Sequence, residues 1–229
     1  MRVMRIAIMI VAAAQSFEVA TVKPTPAELQ GIEQPSIVQF MENGFRRTNS
    51  TLRTLVRTAY DVQEYQVING PEWADRLRFD IEARHGGNMR RAEVLRMLQA
   101  LLAERFELTV RRETKEGETY RLLPIDGGKL PVAVPDSTSA NVRFGSYQGR
   151  RSMSQLAQYL ASVVSRPVTD ATGMTGNYEL SLSFAPDLRD TERPSIFAAL
   201  QEQLGLRLEP SRGPAESIVI ERASLPEGN

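Results

Sequence analysis

Apolar positions along this chain follow two periods, and the switches between them predict its elements. "FEVATVKP" (17–24) alternates and stops at Pro24, which predicts a strand. Residues 25–43 have weak periodicity and read as loop. "GFRRTN" (44–49) predicts a short strand. Leu52, Leu55, Val56, Ala59 and Tyr60 then share one helical face, with Asn49 or Ser50 available as the cap. "EYQVING" predicts a strand and "NGPEW" a turn. In "RLRFDIEAR", Leu77, Phe79, Ile81 and Ala83 take one face of a strand, and Asp80, Glu82 and Arg84 the other. "HGGN" breaks the pattern, so His85 is expected to begin a flexible loop. Leu95, Leu98, Leu102 and Phe106 keep helical register over a helix from Arg90 to Arg105. "FELTVRRE" and "ETYRLLP" predict a hairpin around "TKEG", with Gly117 as its turn residue.

The same order recurs further on. "FGSYQGR" is strand-like. Ser152-Met153-Ser154-Gln155 forms a capping box before a helix carrying Leu156, Ala157, Leu160 and Val163, which Pro167 ends. "TDATGMTG" reads as a turn-rich loop. "NYELSLSF" places Tyr178, Leu180, Leu182 and Phe184 on one strand face. Pro194 suits the first turn of a helix that ends near Gly205, and "LGLRLEP" with "ESIVIERA" predicts a final hairpin. "LAERFELTVRRETKEGETYRL" (102–122) lies over "LQEQLGLRLEPSRGPAESIVI" (200–220) without a gap. Leu102, Phe106, Leu108, Val110, Tyr120 and Leu122 meet Leu200, Leu204, Leu206, Leu208, Ile218 and Ile220. The expected fold is α+β, with two tandem helix–strand–helix–hairpin repeats packed as helix and sheet layers. The expected segments are a signal peptide (1–14), an N-terminal strand and loop (15–45), repeat 1 (46–123), a linker (124–143), repeat 2 (144–223) and a tail (224–229).

Composition narrows the function classes. The 28 basic and 28 acidic residues balance, and only Lys23, Lys115 and Lys129 are Lys. No basic footprint appears, so no nucleic-acid partner is expected. The absence of Cys excludes disulfides, thiol nucleophiles, zinc–thiolate sites and iron–sulfur clusters. At the N-terminus Arg2 and Arg5 precede an apolar run from Ile6 to Val11, and Ala12-Ala13-Ala14 has small-x-small spacing. That order predicts export to the periplasm or outside the cell. The run is far shorter than the ~20 apolar residues a spanning helix needs, so no membrane span is expected after cleavage.

Five stretches carry a family resemblance: "FEVATVKP", "TLRTLVRTAYDVQEYQVINGPEWADRLRFDIEA", "LRMLQALLAERFELTVRRET", "MSQLAQYLASVVSRPVTDATGMTGNYELSLSF" and "IFAALQEQLGLRLEPSRGPAESIVIE". In this order they resemble a soil-associated family of exported bacterial proteins that carries a domain of unknown function. The resemblance implies export. Some relatives look like fusions to membrane metallopeptidases of the penicillin-sensing antirepressor type, which points toward sensing. It implies no catalytic residue set, and the Lys-rich segment of many relatives is reduced here to "DGGKLP". The tandem pattern also looks like the small βαβ units at the N-termini of secretins and TonB-dependent receptors.

Few residues carry candidate chemistry. Trp73, the one Trp, follows the Gly70-Pro71 turn; it reads first as an apolar anchor and second as the floor of a ligand groove. Tyr60 continues a helical apolar stripe. Asp80 and Glu82 share a strand face, as acid–base pairs do, although a solvated face near Arg78 and Arg84 is the simpler account. Asp170 in "VTDATGMTG" suits a general base or, more simply, a residue capping its own turn. His85 stands alone, without partners for a metal site or triad. HExxH, GxSxG, SxxK, Walker A and GxGxxG patterns are all missing, so no catalytic residue, metal or cofactor is assigned. Trp73, Tyr60, Asp80 and Asp170 remain the binding candidates. Three functions compete: a non-catalytic module binding an envelope protein or cell-wall component, a sensor of a small cell-wall fragment, and a carboxylate-dependent glycan hydrolase.

Overall fold

The computed structural model describes residues 16–29, 38–128, 130–134, 139–143, 145–187 and 190–226. The expected signal segment 1–14 and Lys129 of "DGGKLP" lie outside them. The fold is mixed α+β, with four helices and three sheets among the described residues.

The chain divides into two units, Met1–Glu113 with Ser217–Asn229, and Thr114–Glu216. In the first unit β1 (Val19–Pro24), β2 (Val38–Met41), β3 (Gly44–Thr51) and β5 (Arg78–Arg84) form an antiparallel sheet in the order β1-β5-β3-β2. Between β3 and β5 come α1 (Leu52–Tyr60) and the short β4 (Val67–Asn69); α2 (Arg91–Arg105) follows. Thr51 caps α1, accepting a hydrogen bond from the Thr54 N–H at 3.2 Å. The expected cap Asn49 is instead spent in a β-bulge between Arg47 and Ser50, where its φ is +51°. Leu52, Leu55, Val56 and Ala59 of α1 and Val94, Leu98, Leu101 and Leu102 of α2 bury their faces against Phe45, Phe79 and Ile81.

In the second unit β7 (Ala133–Val134), β8 (Ser139–Arg143), β9 (Ser146–Arg151) and β11 (Asn177–Ser183) form a sheet in the order β7-β11-β9-β8. Between β9 and β11 lie α3 (Met153–Val164) and β10 (Val168–Asp170), and α4 (Ile196–Leu204) comes after. Ser152 and Gln155 form the expected capping box. Ser195 caps α4, and Gly205 closes it in the left-handed region. Pro194 stands before the cap rather than in the first turn. The core joins Leu156, Ala157 and Leu160 with Ala199, Leu200 and the inward face of β11: Tyr178, Leu180 and Leu182, followed by Phe184.

The two expected hairpins do not form. Each is one unbroken strand, β6 (Thr109–Pro124) and β12 (Leu206–Arg222), in a sheet ordered β10-β6-β12-β4. Gly117 lies mid-strand, and a Cβ built on it would sit 3.1 Å from the Ala215 Cβ. Small residues face each other where turns were expected, so each segment finds its partner in the other rather than folding back. β6 pairs in parallel with β10 (Val168 beside Tyr120), and β12 with β4 (Val67 beside Ile218).

Three local expectations also change. Residues 25–43 contain a 3-10 turn, Ala27–Leu29, and β2; the expected linker 124–143 contains β7 and β8. Leu77 precedes β5 and is exposed, because the strand begins only at Arg78. His85 is 3% exposed, its N–H donating to the Asn43 carbonyl at 3.0 Å and its ring stacked on Phe17. It belongs to the packed end of the first sheet, not to a flexible loop.

Candidate binding surface

Trp73 sits in a 3-10 turn, Glu72–Asp75, whose position is set by Arg53 of α1. The Arg53 guanidinium grips the Asp75 carboxylate and donates to the carbonyls of Val67 and Asn69, fastening the turn to the end of β4. This hydrogen-bonded pairing holds the Asp75 carboxyl below the usual carboxylate range. Trp73 is half-buried. Its ring stacks on Phe106 and meets Phe79 edge-on, both at 6.3 Å between centroids. Tyr60 closes α1, also half-buried, with the Arg112 guanidinium over its ring at 5.9 Å. Desolvation raises the pKa of its hydroxyl. Both aromatics pack against the first core, as the simpler account has it.

Asp80 points to the other face of β5 and ties the sheet together. Its Oδ1 accepts from the Thr25 hydroxyl at 2.7 Å and from the Asn49 N–H at 2.8 Å, so it satisfies a donor that the bulge removes from the ladder. Asp170 lies in the second unit. Its Oδ1 accepts from the Thr172 N–H and hydroxyl, and its Oδ2 from Ser154. This is a side-chain-capped turn. The four candidates do not converge: Tyr60 and Trp73 share a core, Asp80 faces outward, and Asp170 belongs to the other unit.

The first unit's surface carries a hollow of about 560 Å³ beside the Gly70-Pro71 turn, lined with Arg111, Glu221 and Arg222, and two further features. Strand alternation sets Lys23 opposite Asp80, and both Thr21 and Arg46 opposite Glu82. With Thr48, Pro24 and Pro26 they surround a hollow of about 260 Å³. The charges there cancel, and Asp80 is already committed to the backbone, which leaves a polar, nearly neutral trough. The second feature is β2. It is an edge strand, and all four of its residues are exposed, including Val38, Phe40 and Met41. Phe40 lies edge-on to buried Phe45 at 5.3 Å, and the Arg91 guanidinium sits 5.3 Å above its ring. Asp61 fixes that guanidinium through two hydrogen bonds of 2.8 and 3.0 Å, which lower its own pKa. Sequence reasoning missed this strand. The signal was present in the apolar-polar-apolar triplet Val38-Gln39-Phe40 ahead of the Asn43-Gly44 pair.

Among the described residues no group of three His, Cys, Asp or Glu is placed to hold a metal ion, and no helix is long and apolar enough to cross a membrane. No curated protein and no solved structure matches the chain. The family model described as a protein of unknown function, DUF3738, matches residues 53–223. That span runs from α1 to the end of β12 and so takes in both units and their long strands; the chain is a member of the DUF3738 family.

Proposed function

We propose that this protein is an exported, non-catalytic binding module of the bacterial cell envelope, and that it captures a partner chain by strand addition at β2. The observation that carries the reading is the edge itself. Among the described residues β2 presents one unpaired row of backbone donors and acceptors together with exposed Val38, Phe40 and Met41. Soluble proteins ordinarily blunt such an edge with charge, Pro or a covering segment. The N-terminal order of Arg, apolar run and small residues supports export. The recurrence of strand, helix, short strand, strand, helix and long strand in both halves supports descent by duplication of one unit, in the pattern of the small envelope signalling domains. The hydrolase reading has less support, because Asp80 is held by Thr25 and Asn49 and leaves Glu82 without a carboxylate partner free for chemistry.

The test compares the full-length protein with a Val38→Lys/Met41→Lys variant as baits against an envelope extract of the source organism. Both positions are exposed, so the melting temperature should stay within a degree or two. Capture of one envelope protein by the parent and not by the variant is the expected result. Equal capture by both baits, or no reproducible partner, removes the strand-addition reading.

A further inference from the structure

A cavity of about 470 Å³ opens in the second unit, within the range of small-molecule sites. Val142, Val163, Phe184 and Pro186 supply apolar walls. Gly145 forms part of the floor with a φ of +75°, and a Cβ there would lie 2.6 Å from the Phe184 carbonyl oxygen, so only glycine fits. Its own carbonyl is occupied, accepting from the Phe184 N–H at 3.0 Å and from Arg193 at 3.2 Å. Arg193 is in turn neutralised by Asp190 at 2.6 Å.

The polar groups left to meet a ligand are few. The Arg143 guanidinium lines the cavity with no hydrogen bond or ion pair among the described residues. The Tyr159 hydroxyl is likewise without a partner there, and desolvation, then the neighbouring Tyr147, raise its pKa. It therefore stays protonated and able to donate at neutral pH. The Ser162 hydroxyl donates to the Tyr159 carbonyl at 2.6 Å, which leaves its oxygen free to accept. No carboxylate lines the cavity among the described residues. Among the described lining residues, one unpaired cation, one phenolic donor and a wall of hydrocarbon select for an amphipathic ligand with a single negative charge.

We propose that this cavity binds a small amphipathic monocarboxylic acid, its carboxylate held by Arg143 and the Tyr159 hydroxyl, its aliphatic or aromatic body lying against Val142, Val163, Phe184 and Pro186. The site is independent of the β2 edge, and either proposal stands if the other falls.

The experiment is calorimetric titration of the full-length protein with octanoate and with 3-phenylpropanoate, using octanol and octylammonium as controls of equal bulk. One-to-one saturable binding of either acid is expected, with the alcohol and the amine weaker by roughly tenfold or more, the usual worth of a charge-assisted hydrogen bond. Arg143→Gln, at an exposed position, should leave melting unchanged and bring the acid down to the level of the alcohol. Val163→Trp, which fills the cavity, should abolish binding of acid and alcohol alike. The proposal is overturned if neither acid saturates, if octylammonium binds as well as octanoate, or if Arg143→Gln keeps the preference for the acid.

Discussion

In the first unit the β3 position facing Ile81 is Arg47; in the second, the β9 position facing Leu180 is Gly149. Thr58 and Tyr159 stand equally far from the caps of α1 and α3. These exchanges change what lies under each helix. Arg47 is 3% exposed and donates to the Ser50 hydroxyl at 2.8 Å and to the Thr58 hydroxyl at 2.7 Å, with no carboxylate among its hydrogen-bond partners. Desolvation, with nearby Arg57 adding to it, lowers its pKa to about 10. In the second unit that position has no side chain, and Tyr159 tilts against Tyr147 at 4.5 Å between centroids. One framework is closed by a cation bound only to neutral hydroxyls. The other uses two aromatic rings, and Tyr159 also lines an open cavity. A shared order of elements therefore says little about what either unit binds; the lining residues decide it.

The comparison breaks most easily in the first unit's cluster of Trp73, Phe79 and Phe106. Phe106→Ala, at a fully buried ring that touches Trp73 and Phe79, should cost about 3–5 kcal/mol in chemical denaturation. A cost below that of an ordinary surface substitution would mean that this core is not what holds the unit. Trp73→Ala should cost less, about 2–3 kcal/mol, because that ring is only partly buried. A variant that melts normally but loses a ligand would restore the groove reading.

Smaller effects sharpen the contrast between a structural and a solvated carboxylate. Asp80→Ala should cost about 1–3 kcal/mol through loss of the hydrogen bonds from the Asn49 N–H and Thr25 hydroxyl, whereas Glu82→Ala should stay within about 0.5 kcal/mol. Equal costs at the two positions would contradict the clamp assigned to Asp80. Acid titration follows from Asp61 and Asp75, whose folded-state pKa values are depressed by Arg91 and Arg53. Their contribution is present above the ordinary aspartate pKa of about 4 and is lost as pH falls through the lower folded values. Asp75→Asn should flatten that acid limb, read as melting temperature against pH, without changing stability's slope at neutral pH.

A small net change is also expected at the most unusual residue. Replacing a buried charge by an apolar chain of similar length is often neutral, so Arg47→Met should alter stability by about 1 kcal/mol or less, in either direction. Thr58→Ala, which strips the guanidinium of an acceptor, should cost more than Arg47→Met. The reverse order would show that the hydroxyls matter to the fold independently of the cation.

What could be read from sequence follows the range of the interactions involved. α3 and β11 have strong periods, and Leu156, Ala157, Leu160, Tyr178, Leu180 and Leu182 are buried as expected, although Val163 is only half-buried; α2 buries Val94, Met97 and Leu101 besides the expected Leu95, Leu98 and Leu102. The failures lie where a distant partner overrides a local signal. Gly117 looks like a turn until Ala215 is placed beside it. His85 looks loop-bound until Phe17 stacks on it and Asn43 takes its N–H. Neither ring nitrogen of His85 has a hydrogen-bond partner among the described residues, which no local pattern would suggest. The packing of Trp73 and the turn of Asp170 were legible because both depend on near neighbours. The unit 2 cavity was not, since Val142, Tyr159 and Phe184 come from three separate elements or their flanks.

The long strand β12 has a consequence in time as well as space. Val67 of β4 finds its ladder partner only at Ile218, beyond the whole of the second unit in sequence. As the polypeptide is made, the first unit waits with β4 without its β12 partner and with Ile218 and Ile220 missing from its core until the whole second unit has emerged. Pairings this distant in sequence make for slow folding and leave a nascent chain exposed to misassociation. Truncations that spare every helix but remove the last ten described residues should therefore yield a chain that is made but does not mature.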